Sequence, residues 1–148
     1  MKDYGCLEKL QHVLAILRAT HWNAWSSHWQ AKGVAFFADH ELFAKIYESI
    51  EDDIDKLAEK LVGFYGNQSV DAMPSMELTY GMLSMCASEK NPFKRALMLE
   101  EHLQMCLEQA YEELEDKEKM TLGMDNLLQS IGDQHESFMY FLKQRITD

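Results

Sequence analysis

The chain has 148 residues, 47% hydrophobic and 26% charged, with a formal net charge of -11 at pH 7, 7 glycines and only 2 prolines. That length suits one domain with a sizeable core, taken as a single unit over residues 1–148. So few breakers exclude a fold of many short strands and tight turns. The acidic balance excludes an overall basic field for a nucleic-acid backbone.

The first predicted helix runs from about Leu7 to Ala31, where Leu7, Leu10, Leu14, Leu17, His21, Ala24 and His28 recur in alternating steps of three and four, a bundle seam. Lys32-Gly33 supplies its stop. A second helix, about Phe37 to Tyr65, carries His40, Phe43, Tyr47, Ile50, Ile54, Leu57 and Leu61, and Gly66-Asn67 ends it. Met73-Pro74-Ser75 breaks the chain, and Met76 to Met85 is expected to form a short extra helix. Asn91-Pro92 marks the next start, with Asn as N-cap and Pro at the first helical position. The third long helix carries Phe93, Leu97, Leu103, Leu107, Ala110 and Leu114, and the fourth, about Leu122 to Ile146, carries Leu128, Ile131, His135, Phe138 and Leu142. Four long helices with a long connection between the second and third imply an all-α, ferritin-like four-helix bundle with a short extra helix in the crossover.

Cys6, Cys86 and Cys106 form no CxxC pair, which argues against a disulfide framework and suits a reducing, cytoplasmic setting. The start, Met1-Lys2-Asp3-Tyr4-Gly5, lacks an apolar leader, and no run reaches the length of a membrane span, so no membrane segment is expected. The ten methionines read as adaptable core or interface rather than a copper path, because no Met-x-x-Met ladder stands beside a histidine in the sequence.

His28, His40, Asp55 and Glu59 are the residue types of a transition-metal site built on nitrogen and oxygen donors. Asp55 and Glu59 are four apart and share a helix face, although that pair alone also suits a solvated acidic face, with Glu51, Asp52 and Asp53 beside it. The Lys32-Gly33 turn can bring His28 to His40. His40 and Asp55, however, are separated by about 22 Å of helix rise. The four can hold one ion only if two copies of the second helix pack antiparallel across a two-fold axis. A buried di-iron centre of the Glu-x-x-His kind is not expected. The residues three before the six histidines are Lys9, Arg18, Trp25, Phe37, Leu99 and Gly132.

The run HWQAKGVAFFADHELF followed by DKLAEKL resembles the Dps family, the miniferritins, whose pattern starts His-Trp-Asn-x-x-Gly (Gln30 stands at the Asn position here), and matches its spacings of twelve, fifteen and four between the ligand positions. His135-Glu136-Ser137-Phe138-Met139-Tyr140-Phe141-Leu142-Lys143 is similar to that family's last helix. The resemblance implies a hollow dodecamer with ferroxidase sites at its two-fold interfaces. These would oxidise Fe²⁺, often with hydrogen peroxide, and store ferric mineral, protecting against oxidative damage. His28, His40, Asp55 and Glu59 would be the iron ligands, and Trp29 an electron donor beside them. The alternative is a metal-buffering or structural assembly holding one ion, zinc as a substitute for iron, without turnover.

The chain departs from the family at Ala44, followed by Lys45, where many members carry an Asp that helps hold a second iron. His21 lies about 10 Å along the axis from His28, too far to share its ion, and reads with His102 and His135 as a hydrogen-bonded core histidine. Family members that coat DNA use a Lys/Arg-rich tail, whereas the expected tail here has one lysine, Lys2, and the basic end Lys143-Gln144-Arg145 is short, so DNA binding is not expected. The acidic cluster Glu112 to Glu118 suits a solvated helix end or the lining of an iron-conducting pore.

Overall fold

The computed structural model describes residues 4–147. The expectation for Lys2 therefore falls outside the described residues. Its elements are α1 (Tyr4–Gln30), α2 (Phe36–Tyr65), a 3-10 turn (Asn67–Val70), α3 (Ala72–Ser84), α4 (Pro92–Asp116) and α5 (Leu122–Ile146). The all-α bundle with an extra helix in the crossover is as expected, and no strand occurs among the described residues.

The predicted signals act where they stand. Gly33 and Gly66 take φ of +92° and +99°, the left-handed region that a Cβ disfavours, and turn the chain after α1 and α2. The Asn91 side chain accepts from the Phe93 and Lys94 N–H groups, with Pro92 at the position whose N–H would be unsatisfied anyway. Pro74 differs. It does not break the chain but sits in the first turn of α3, which begins at Ala72, because first-turn N–H groups have no intrahelical acceptor and none is lost.

Helix α1 is the centre of the packing, touching α2, α4 and α3, while α5 closes the bundle against α4 and α2. Because it has neighbours on several sides, α1 buries more than one seam: Val13, Ile16 and Ala19 are covered as fully as Leu10 and Leu17. His21 and His28, expected on that seam, are half-buried on the flank that meets α2. Thr20, Asn23, Ala24 and Ser27 continue the buried face instead. On α2 the expected stripe holds, with Phe43, Ile50, Leu57 and Leu61 buried. Each such apolar side chain contributes about 1.5–3 kcal/mol over the exposed state. Arg18 donates to Ser75 Oγ and Gln11 to the Ser69 carbonyl, tying the crossover to α1.

The core contains one polar pair that the sequence patterns did not reveal. His135 Nδ1 lies 2.5 Å from Glu100 Oε2, and both side chains are fully buried. Burial pushes the Glu100 carboxyl up, against an opposing pull from His135. The three cysteines are buried thiols outside any disulfide, and burial raises Cys106 to about 11, opposed by Lys9. No described helix is long and apolar enough to cross a membrane.

Three substitutions test this packing by urea unfolding. Glu100→Ala opens a cavity and strips His135 of its partner, costing about 2–4 kcal/mol, whereas Glu100→Gln keeps a partner and costs less. Since the native carboxyl binds its proton more tightly than the unfolded one, its contribution is complete below the ordinary carboxylate range. It is lost as pH rises through the raised native value, and Glu100→Gln removes that slope. At the end of α4, Glu118 has φ of +54° and adds a negative charge where the helix dipole disfavours it. Glu118→Gly is expected to stabilise the fold by about 0.5–1 kcal/mol.

Candidate functional site

Where α1 ends and α2 begins, two imidazoles lie face to face. The His28 and His40 ring centroids are 3.5 Å apart, with 19° between planes. His28 Nδ1 is 2.7 Å from the His40 carbonyl oxygen, and His40 Nδ1 is 2.8 Å from the His28 carbonyl oxygen. A carbonyl only accepts, so both Nδ1 atoms carry the proton and donate. In the neutral ring each Nε2 is then left as a lone-pair donor, the tautomer that binds a metal. The His28 carbonyl lies in the last turn of α1, where it lacks an intrahelical partner, and His40 fills that vacancy.

The start of α2 is fixed by a second clamp. Arg145 Nε donates to Asp39 Oδ1 at 2.9 Å and its Nη2 to Oδ2 at 3.1 Å, a bidentate pair, with the guanidinium 4.2 Å over the Phe93 ring. Asp39 is buried, so the residue before His40 is held against α5.

Asp55 and Glu59 are exposed on α2 and do not join the histidines within the chain. Among the described residues, no three His, Cys, Asp or Glu side chains converge as a metal-holding group. On the same α2 face, one turn before Asp55, Glu51 Oε1 lies 3.2 Å from His21 Nε2. His21 is thus partnered by a surface carboxylate and is not a core histidine. His135 is the buried, hydrogen-bonded residue its seam position implies, and His102 is half-buried, its pKa lowered by burial and then by His12. Ala44, the expected departure from the family's pattern, is buried and faces packing rather than water in the single chain.

Sequence reasoning singled out Trp29 but missed its neighbours. Trp22, Trp25 and Trp29, at i, i+3 and i+7, form one stripe, with Trp25–Trp29 centroids 4.8 Å apart and Trp22–Trp25 6.3 Å apart. Tyr47 joins them, 6.0 Å from Trp25 and 5.3 Å from His28. Burial, then Glu48, Glu51 and Glu41, push the Tyr47 phenol up, so it remains a hydrogen-bond donor. Trp22 is 58% exposed, Trp29 61% and Phe37 74%, a large apolar surface beside the histidine pair. The i, i+3, i+7 spacing was the signal available for this stripe.

No family model matches the chain. An uncharacterized protein of Haemophilus influenzae is 36% identical over 55 residues, which is 37% of this chain and 34% of that protein. The match therefore spans about a third of that relative's length. Among solved structures, Dps from Thermosynechococcus elongatus superposes with a TM-score of 0.81 at 19% identity, covering 97% of this chain and 90% of that one. DpsC from Streptomyces coelicolor gives 0.81 at 21% identity, over 97% and 84%. Dps from Microbacterium arborescens, in its high iron form, gives 0.77 at 18% identity, over 100% and 99%. The chain has the ferritin-like fold of the Dps proteins.

The tautomer assignment has a direct check. At about pH 8, above the ordinary histidine range, ¹⁵N NMR of the imidazoles is expected to give a protonated Nδ1 and a bare Nε2 for both His28 and His40. The Nε2–H tautomer at either residue would overturn the reciprocal exchange.

Proposed function

We propose that this chain is an iron-sequestering miniferritin of the Dps type, with ferroxidase sites shared between protomers in a dodecameric cage. His28 and His40 of one protomer and Asp55 and Glu59 of its two-fold neighbour hold Fe²⁺. Hydrogen peroxide is the oxidant: two Fe²⁺ each give up one electron, and one peroxide with two protons becomes two waters. The ferric product is stored as mineral within the cage, away from further peroxide. This supplies both an oxidoreductase activity on metal ions and protection against oxidative damage.

The observation that carries this reading is the stacked histidine pair, whose reciprocal Nδ1 donation leaves two Nε2 lone pairs with no third donor converging on them among the described residues. Nitrogen and carboxylate donors suit iron, and anionic oxygen favours Fe³⁺ over Fe²⁺, which makes electron loss easier. The exposed aromatic stripe next to the pair supports a second copy as the cover, since a monomer gains nothing by leaving it wet. Trp29, in van der Waals range of Trp25, is the proposed reserve electron donor. With Ala44 in place of a carboxylate, one iron per site is held firmly and the other is bound weakly.

DNA does not enter this reading. The net charge is -11, and the C-terminal Arg145 is engaged by Asp39.

Mixing the protein anaerobically with Fe²⁺ and then peroxide is expected to give a fast rise in ferric absorbance. His40→Ala or Asp55→Ala should slow it about tenfold or more, by analogy with lost ligand support at metal sites. Complementation tests the sharing. Co-assembly of His28→Ala/His40→Ala chains with Asp55→Ala/Glu59→Ala chains rebuilds one intact site per mixed dimer, returning about a quarter of wild-type activity for random pairing. No recovery, or a 17.2 kDa monomer by sedimentation, would sink the shared site.

A further inference from the structure

Away from the histidine pair, the end of α3 and the middle of α4 form a groove of about 350 Å³, rich in sulfur. Met82 and Met85 lie at the end of α3, and Cys86 follows in the turn, its thiol donating to the Leu83 carbonyl at 3.4 Å. Met98, His102 and Met105, at i, i+4 and i+7, share one face of α4 and line the same groove. Met82-x-x-Met85 and His102 are far apart in sequence, and the return of the crossover into α4 puts them on one wall-to-wall surface. The sequence shows no methionine ladder beside a histidine; the fold brings one to the same groove as His102.

We propose that this groove binds a soft monovalent metal ion, Cu(I), with two to four ligands drawn from the thioethers of Met82, Met85, Met98 and Met105, the Cys86 sulfur and the His102 imidazole. Soft thioether and thiolate donors select Cu(I) over the harder ions that carboxylates hold, and the Cys86 thiol would release its proton to solvent as its sulfur binds. Four of the chain's ten methionines stand in this one place, a concentration that packing alone does not require. Gap-filling is a poor explanation, since Met85, Met98 and Met105 are 50%, 41% and 44% exposed. Cys86 is 2% exposed at the base of the groove, and the flexible methionines stand over it with only one carboxylate, Glu101, on the lining. Unbranched thioethers can swing to two-, three- or four-fold coordination without moving the helices. The groove shares no residue with the iron site, so neither proposal rests on the other.

The test is anaerobic titration of the full-length protein with Cu(I) in competition with bicinchoninate. The wild type is expected to withdraw about one Cu(I) per chain from the chelator. The triple variant Met85→Leu/Met98→Leu/Met105→Leu conserves volume and so keeps the fold, and its affinity should fall about 100-fold. Should that variant unfold, Met98→Leu and His102→Gln alone should each lower affinity about tenfold. His28→Ala/His40→Ala should leave Cu(I) affinity unchanged. Three results would overturn the proposal: the wild type leaves the chelator's copper untouched, as it would if a second copy covers the groove; the methionine variants compete as well as the wild type; or Cu(I) binding is lost with His28 and His40 instead.

Discussion

The exchange of hydrogen bonds between His28 and His40 is the joint on which the candidate site depends. Each imidazole is held by the backbone of the other residue, so rotation of either ring costs the bond its own Nδ1 makes. The geometry also sets the chemistry, because donation from Nδ1 leaves Nε2 with its lone pair. It arises where a helix end has carbonyl groups to satisfy, and it persists because Gly33 can turn the chain through a positive φ and Arg145 anchors Asp39 next door. Helix termination, loop conformation and ligand preparation are thus one event in this corner.

A second constraint is the rigidity of α2. An uninterrupted helix keeps His40 and Asp55 about 22 Å apart whatever the side chains do. The same two-helix face leaves Trp22, Trp29 and Phe37 in water. A separated donor set and an uncovered aromatic stripe are different deficits of the single chain. In the proposed assembly an antiparallel second copy removes both at once, so metal capture would be coupled to apolar burial. The coupling has a physical consequence: the carboxylates would meet the imidazoles in a surrounding drier than either has alone, where their attraction for a cation is stronger.

Much of the fold was legible because helix periodicity and breakers are local signals. Asn91-Pro92, Gly33 and Gly66 each acted within a turn of where they stand, and the α2 stripe from Phe43 to Leu61 is buried as its spacing implies. Pro74 was misread because a proline's effect depends on which helical position it occupies, and the first turn tolerates it. The α1 seam was read too narrowly, since a helix with neighbours on several sides has no single apolar stripe to find. In the site, the His28–His40 spacing was readable, but the carbonyl exchange was not, because it needs the angle at which α2 leaves the turn. Glu100 was invisible for a stronger reason: a buried glutamate looks like any surface glutamate until its partner on another helix is known.

That buried pair bears on why the proposed chemistry lies at the edge of the bundle. Glu100 and His135 come from α4 and α5 and meet in the core. Asp53 on α2 is close enough for its carboxyl, raised chiefly by burial, to be drawn back down by His135. Glu100 Oε1 and His135 Nε2 have no hydrogen-bond partner in the described structure, so the interior has polar capacity unspent. It nevertheless lacks a converging third ligand, and the surrounding faces are filled by Leu99, Leu103, Ile131 and Phe138. Removing a hydrated cation's water into such a surrounding costs far more than two donors return, one of them a carboxyl that burial favours in its protonated form. The exposed face of α2 has the opposite balance, with carboxylates that would stay hydrated until the proposed partner surface approached. A bundle whose middle is packed this way can offer metal chemistry only at its surface, and in the proposed iron site each chain would contribute half of the donors.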